Sequence, residues 1–148
     1  MKILLINNDK LWGGGQEHLK DLAPELQKHG TDVHLGVREN SLSPERFQEL
    51  GVPLHLFPGH GIGDVVTVFR LMMLFGREKY DVVSINREHD LLLTALAWRL
   101  ALSFRGPGKL MMSYHTATSR RQLFLSAADA VVCVSGHVKN GSSLFQVG

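Results

Sequence analysis

The sequence is poor in the features that mark specialised protein classes. It has one cysteine, Cys133, so no internal disulfide can form and a disulfide-stapled scaffold is excluded. Aromatic residues make up 7% and charged residues 20% of the 148 positions, and the formal net charge is +2. That balance lacks the electrostatic footprint of a nucleic-acid-binding domain, so no nucleic-acid partner is expected. Long hydrophobic runs are missing. The apolar stretches Val65–Phe75 and Leu91–Leu102 fall well short of the ~20 residues a membrane span needs, and each contains an arginine, Arg70 or Arg99. The N-terminus lacks the order of basic, apolar and small residues of a signal peptide. With the lone cysteine, this fits a cytoplasmic chain. There is no internal repeat, low-complexity segment or linker. What remains is an ordinary globular composition, 44% hydrophobic, long enough for one domain with its own core.

Several catalytic signatures are also absent. The dinucleotide fingerprint G-x-G-x-x-G fails: from Gly13 the third position is Gly15, but the sixth is His18. Glu39 does sit where a ribose-binding acid would belong. No P-loop lysine follows the glycines, and no G-x-S-x-G elbow or serine triad is recognisable. His55 and His60, five apart across a Pro-Gly turn, are not a metal-ligand spacing, so no metal site is expected.

What is present begins at the N-terminus. Ile3 to Ile6 is a continuous apolar run, the signature of a strand buried on both faces. Gly13, Gly14 and Gly15 follow, and without Cβ atoms they let a bound group approach the backbone. Leu19, Leu22, Ala23 and Leu26 then recur at helical spacing up to Gly30, with Pro24 expected to kink the helix. A helix that starts in such a loop presents unpaired N–H groups and the positive end of its dipole, which favours a phosphate; a tight turn is the plainer alternative.

The same alternation continues along the chain. Strands are expected at Asp32–Arg38, Pro53–Phe57, Asp81–Asn86, Lys109–Tyr114 and Ala130–Val134. Helices are expected after the Ser43 cap, over Val65–Arg77 behind an Asp64 cap, and over Asp90–Phe104. Two more are expected over Arg120–Ala128 and Val138–Val147. This predicts an α/β fold, a Rossmann-like doubly wound parallel sheet with helices on both faces. Ligands of such sheets bind beyond the carboxyl ends of the strands, where strand order reverses. The candidates are therefore Asn7–Gln16, Arg38–Asn40, Pro58–Gly63, Asn86–His89, His115–Thr118 and Ser135–His137. His115, directly after a strand, can hydrogen-bond a hydroxyl or phosphate, or act as acid or base near neutrality. Asn86, Arg87, Glu88 and His89 suit polyol or phosphate recognition, or simply an exposed helix start. The two long apolar helices read as core, and their all-round character also permits a dimer face or a membrane-surface contact.

Taken together, these pieces resemble the N-terminal domain of retaining nucleotide-sugar glycosyltransferases of the GT-B architecture, in the large family-four group. The likeness rests on KILLIN, the G-G-x-E motif at Gly14–Glu17, DLAPELQKHGTDVHL, ELGVPLHLF, YDVVSIN, the strand ending in His115, and ADAVVCVS. It implies that Gly14 and Gly15 approach the donor diphosphate and that His115, the catalytic candidate, lies near the transferred sugar. Asn86, Arg87 and Glu88 would hold the acceptor. It further implies a nucleotide-sugar as donor substrate, no cofactor or metal, and a glycan, lipid or small-molecule acceptor. Residues 1–148 would be a single N-terminal domain, inactive alone, with the nucleotide-sugar-binding C-terminal domain outside this chain. The expected location is cytoplasmic, with peripheral contact at the inner membrane face and self-association both permitted. Two departures stand: Gly136 occupies a position where the family often has an acid, and the segment between His115 and Ala127 is short. Two alternatives are a non-catalytic sugar- or nucleotide-binding module that needs a partner chain, and part of a sugar-nucleotide epimerase.

Overall fold

A computed structural model describes residues 1–59, 64–101, 107–114 and 127–133. The helices expected over 120–128 and 138–147 fall wholly or largely outside those residues. Six strands form one sheet: β1 (Lys2–Asn7), β2 (Asp32–Arg38), β3 (Leu54–Phe57), β4 (Val82–Ile85), β5 (Lys109–Tyr114) and β6 (Ala130–Cys133). Their order is β3-β2-β1-β4-β5-β6 and every neighbouring pair is parallel. This is the doubly wound arrangement, and its order reverses between β1 and β4.

The apolar strands are explained by the helices on both faces. On one face α1 (Gly14–Lys28) and α2 (Ser43–Gln48) bury Leu19, Ala23 and Phe47 against Ile3, Leu5, Val33, Leu35 and Val37. On the other, α3 (Val65–Glu78) and α4 (Glu88–Leu100) pack Leu71, Phe75, Leu91 and Trp98 onto Leu4, Ile6, Val83 and Ile85. Phe75 and Trp98 meet edge to face, centroids 4.9 Å apart at 84°. Neither α3 nor α4 is core all round. Val65, Val66, Phe69 and Met73 of α3, and Leu96 and Leu100 of α4, remain exposed.

The local signals act much as expected. Helix α1 runs through Pro24 without a break. It ends at Gly30, whose φ of 76° only glycine adopts without strain. The Asp64 carboxylate caps α3, accepting from the Thr67 amide at 2.9 Å and from its hydroxyl. Two helix starts differ from expectation. Ser43 is the first residue of α2 and not its cap. The N-cap is Leu42, and the Ser41 hydroxyl before it accepts from the Ser43 amide at 3.2 Å while donating to the Arg38 carbonyl. Helix α4 begins at Glu88, two residues before Asp90, and the Asp90 carboxylate accepts from the Asn8 amide at 3.3 Å.

Candidate functional site

The strand reversal sets the site. Ile6 pairs with Ile85 and Ile85 with Met112, so the next residues, Asn7, Asn86 and Ser113, stand in a row across β1, β4 and β5. They share the face covered by α1. Ser84, one pleat lower, brings its hydroxyl to 3.0 Å from that of Ser113. The row is short of partners among the described residues. Asn7 is fully buried; its side-chain oxygen accepts from the Asp9 amide, but its Nδ2 has no partner among those residues. Asn86 Nδ2 is likewise buried and unpartnered among them. A buried donor left idle costs free energy, so two of them at the switch point mark a place that a ligand or water completes.

Helix α1 begins over this row. Gly13 is its N-cap, while Gly14 and Gly15 form its first turn, so the loop proper runs from Asn8 to Gly13. The amides of Gly14 and Gly15 have no acceptor within the helix. The three glycines are not equivalent. A Cβ at Gly14 would meet nothing of the described residues within 4 Å. A Cβ at Gly15 would come 2.7 Å from Asn7 Nδ2, so Gly15 is required by the packing of α1 on β1.

The loop is held by side chains not singled out in the sequence. Gln16 is 1% exposed. Its side-chain oxygen accepts from the Gly13 amide at 3.0 Å, and its Nε2 donates to the Leu11 carbonyl at 2.9 Å. This is half of a capping box, and the G-x-x-Q spacing was the available signal. Trp12 packs on Phe47 with centroids 5.2 Å apart, carries the Arg46 guanidinium 4.5 Å above its ring, and donates through Nε1 to Glu17.

The acceptor-side candidates flank the row. Arg87 precedes α4 and forms an ion pair with Asp9 of the glycine loop, bridging the switch point. Glu88 opens α4. Glu39, the would-be ribose acid, is engaged by Arg70 at 3.1 Å. His115 and His60 lie outside the described residues. Beneath Asn8 a cavity of about 10 Å³, lined by Asn8, Thr67, Asp90 and Thr94 among others, has room for about one water. The Asn8 side-chain oxygen and Thr94 Oγ1 are buried without partners. A larger groove, about 360 Å³, runs between β3 and α3 at the outer edge of the sheet, away from the switch point. Among the described residues no group of three or more His, Cys, Asp or Glu side chains is placed to hold a metal ion, and no helix is long and apolar enough to cross a membrane.

The opposite, amino-terminal edge of the sheet holds a buried cluster that the sequence reading left as scattered histidines. His34 Nδ1 lies 3.0 Å from His55 Nε2, and Tyr80 Oη lies 2.8 Å from the first and 3.3 Å from the second. His34 Nε2 faces Asp32 at 3.5 Å, which favours a proton there and leaves Nδ1 as acceptor. Burial pushes both histidines below their usual value, helped for His34 by Lys2 and for His55 by His34. Burial raises the Tyr80 phenol. Lys2 bonds Glu78 at 2.5 Å, which raises the lysine and lowers the carboxyl.

Comparison with known proteins bears on this geometry. Acinetobacter baumannii MurG shares the fold with a TM-score of 0.69 at 14% identity, over 89% of this chain and 40% of that one. Anabaena Alr3699/HepE, solved with UDP and glucose, aligns with a TM-score of 0.70 at 18% identity, over 95% and 40%. A Listeria monocytogenes protein described as a UDP-N-acetylglucosamine 2-epimerase aligns with a TM-score of 0.65 at 13% identity, over 95% and 40%. At such identities the likeness shows the fold alone. The chain spans about two fifths of the length of these structures. No curated protein sequence matches it. The profile described as Glycosyltransferase Family 4 matches residues 12–142, from the glycine loop past the sixth strand. The chain thus belongs to Glycosyltransferase Family 4.

Proposed function

We propose that this chain is the acceptor-side half of a retaining glycosyltransferase that moves a sugar from a nucleotide-sugar to a glycan, lipid or small-molecule acceptor. The nucleotide-sugar-binding half would be a second, C-terminal domain, without which residues 1–148 do not catalyse. The observation that carries the reading is the open start of α1 at the switch point. Among the described residues, the amides of Gly14 and Gly15 lack helical acceptors, nothing stands within 4 Å of a Cβ at Gly14, and the Nδ2 donors of Asn7 and Asn86 below have no partner. Such a helix start stabilises negative charge, and it does so most when the sugar–diphosphate bond breaks and charge develops on the leaving nucleotide. The role is positioning and electrostatics, with no resident metal or cofactor invoked. Asn86, Arg87 and Glu88 border the acceptor, and His115 is assigned to the reacting sugar on the strength of the family resemblance.

The glycine pair supplies the test. In the full-length protein, Gly14→Ala should lower kcat/KM for the nucleotide-sugar by tenfold or more while leaving the melting temperature nearly unchanged, since its Cβ would meet no atom of the described residues within 4 Å. Gly15→Ala should instead destabilise the fold, by about 1–3 kcal/mol, through contact with Asn7. Undiminished transfer in a folded Gly14→Ala protein would reduce the glycines to a turn. Tight nucleotide-sugar binding with no transfer to any acceptor would favour a binding module.

A further inference from the structure

Among the described residues, three arginines border the carboxyl edge of the sheet, and two are occupied. Arg70 donates to Glu39 and to the Leu56 carbonyl, each at 3.1 Å, tying α3 to β3. Arg87 pairs with Asp9. The third, Arg38, ends β2 half-buried, and its guanidinium has no hydrogen-bond or ion-pair partner among the described residues; its Nε is fully shielded from solvent. The next residue along the chain, Glu39, is committed to Arg70.

The backbone makes room for this side chain. Gly59, just after β3, sits at φ 70°, and a Cβ there would come 3.0 Å from Cγ, Cδ and Nε of Arg38. The stem is thus held in a fixed slot under the turn, while the charged head has no partner among the described residues. Holding a guanidinium in place without a partner costs stability, and a preorganised, unpaired fork is what carboxylate or phosphate recognition requires.

Its place distinguishes it from the helix start. Asn7 pairs with Val37, so Arg38 stands beside Asn8, on the face covered by α3 and α4. Asn7 and the start of α1 occupy the other face. An anion at Arg38 is therefore separate from a diphosphate at Gly14. We infer that Arg38 recognises an anionic group, a phosphate or carboxylate, carried by the acceptor. Calling the ligand an acceptor rests on the glycosyltransferase reading above; the anion site itself does not.

Direct binding separates the two. In the full-length protein, inorganic phosphate and UDP are titrated by calorimetry into wild type, Arg38→Gln and Arg38→Lys. The expected result is that Arg38→Gln weakens phosphate at least tenfold and leaves UDP unchanged, with Arg38→Lys in between. Phosphate affinity that is absent in wild type, or equal in Arg38→Gln, overturns the proposal. Parallel loss of UDP overturns the acceptor assignment, because the anion would then be the donor's diphosphate. If Arg38→Gln does not fold, Arg38→Lys decides alone, and unchanged phosphate affinity refutes a bidentate site. Transfer is not read, so a failed glycosyltransferase assignment and a failed anion site give different results.

Discussion

The two ends of the sheet are built on opposite rules. At the amino-terminal edge polar groups are matched. Lys2 reaches Glu78 and Asp32, its backbone amide donates to Asp81 at 2.7 Å, and His34, His55 and Tyr80 close on one another. Asp129 accepts from the Leu110 amide at 2.8 Å and pairs with Lys109. At the carboxyl edge the matching is incomplete. Among the described residues, the side-chain atoms buried without a partner are Asn7 Nδ2, Asn8 Oδ1, Arg38 Nε, Asn86 Nδ2 and Thr94 Oγ1. Four lie at the end of β1, β2 or β4 or one residue past it, and Thr94 lines the cavity beneath Asn8. The backbone ladders and the core are continuous between the two ends, so packing does not explain the contrast. It follows from the division of labour in a doubly wound sheet, where one edge is satisfied by the fold and the other by a ligand.

The contrast can be broken most severely from the stable end. Tyr80→Ala removes a 1%-exposed ring that packs on Phe75 and bonds the histidine pair. It should cost about 3–5 kcal/mol, which at about 2–4 °C per kcal/mol is a drop readable by calorimetry. A change under about 1 kcal/mol would show that the cluster does not anchor this edge. Acid should break it more gently. His34 and His55 titrate lower folded than unfolded, so the unfolded chain takes up protons first as pH falls through the ordinary histidine value of 6.5. Stability held above that pH is lost progressively below it, until the folded histidines also charge. Glu78, also lowered, adds a second loss below the ordinary glutamate value of 4.5. The melting temperature should fall between pH 7 and pH 5, and less so in His55→Gln; equal slopes in both proteins would remove the histidine pair as the cause. The smallest effect is expected at the other edge. Thr94→Val deletes an idle buried hydroxyl at nearly constant shape and should leave stability unchanged or raise it by up to about 1 kcal/mol. A loss of more than about 1 kcal/mol would mean that the hydroxyl binds an internal water.

Much of the fold was legible because strands buried on both faces announce themselves. Asp32–Arg38 and Lys109–Tyr114 are observed over the residues expected, and Asp64 caps α3 as read. The errors lie at helix starts: α4 begins two residues before Asp90, and α2 is capped by Leu42, with the Ser41 hydroxyl bonded to the Ser43 amide. The candidate site was legible as a set of strand ends, but not as pairings. That Arg87 meets Asp9 across 78 positions, or that His34 meets His55 across 21, depends on register between parallel strands, which no local pattern encodes. The difference between Gly14 and Gly15 was equally invisible, because it is set by where the Asn7 side chain lies.

The sequence contains two tryptophans, and the fold has placed them in unlike surroundings. Trp98 is sealed in the core, whereas Trp12 rides on the glycine loop between the Arg46 guanidinium and Phe47. An indole under a cation, wired through Gln16 and Leu11 to the first turn of α1, is a natural optical gauge. With Trp98 replaced by phenylalanine, the remaining emission would come from one spot at the mouth of the crevice, and the arrival of a ligand there could be followed as a change of light.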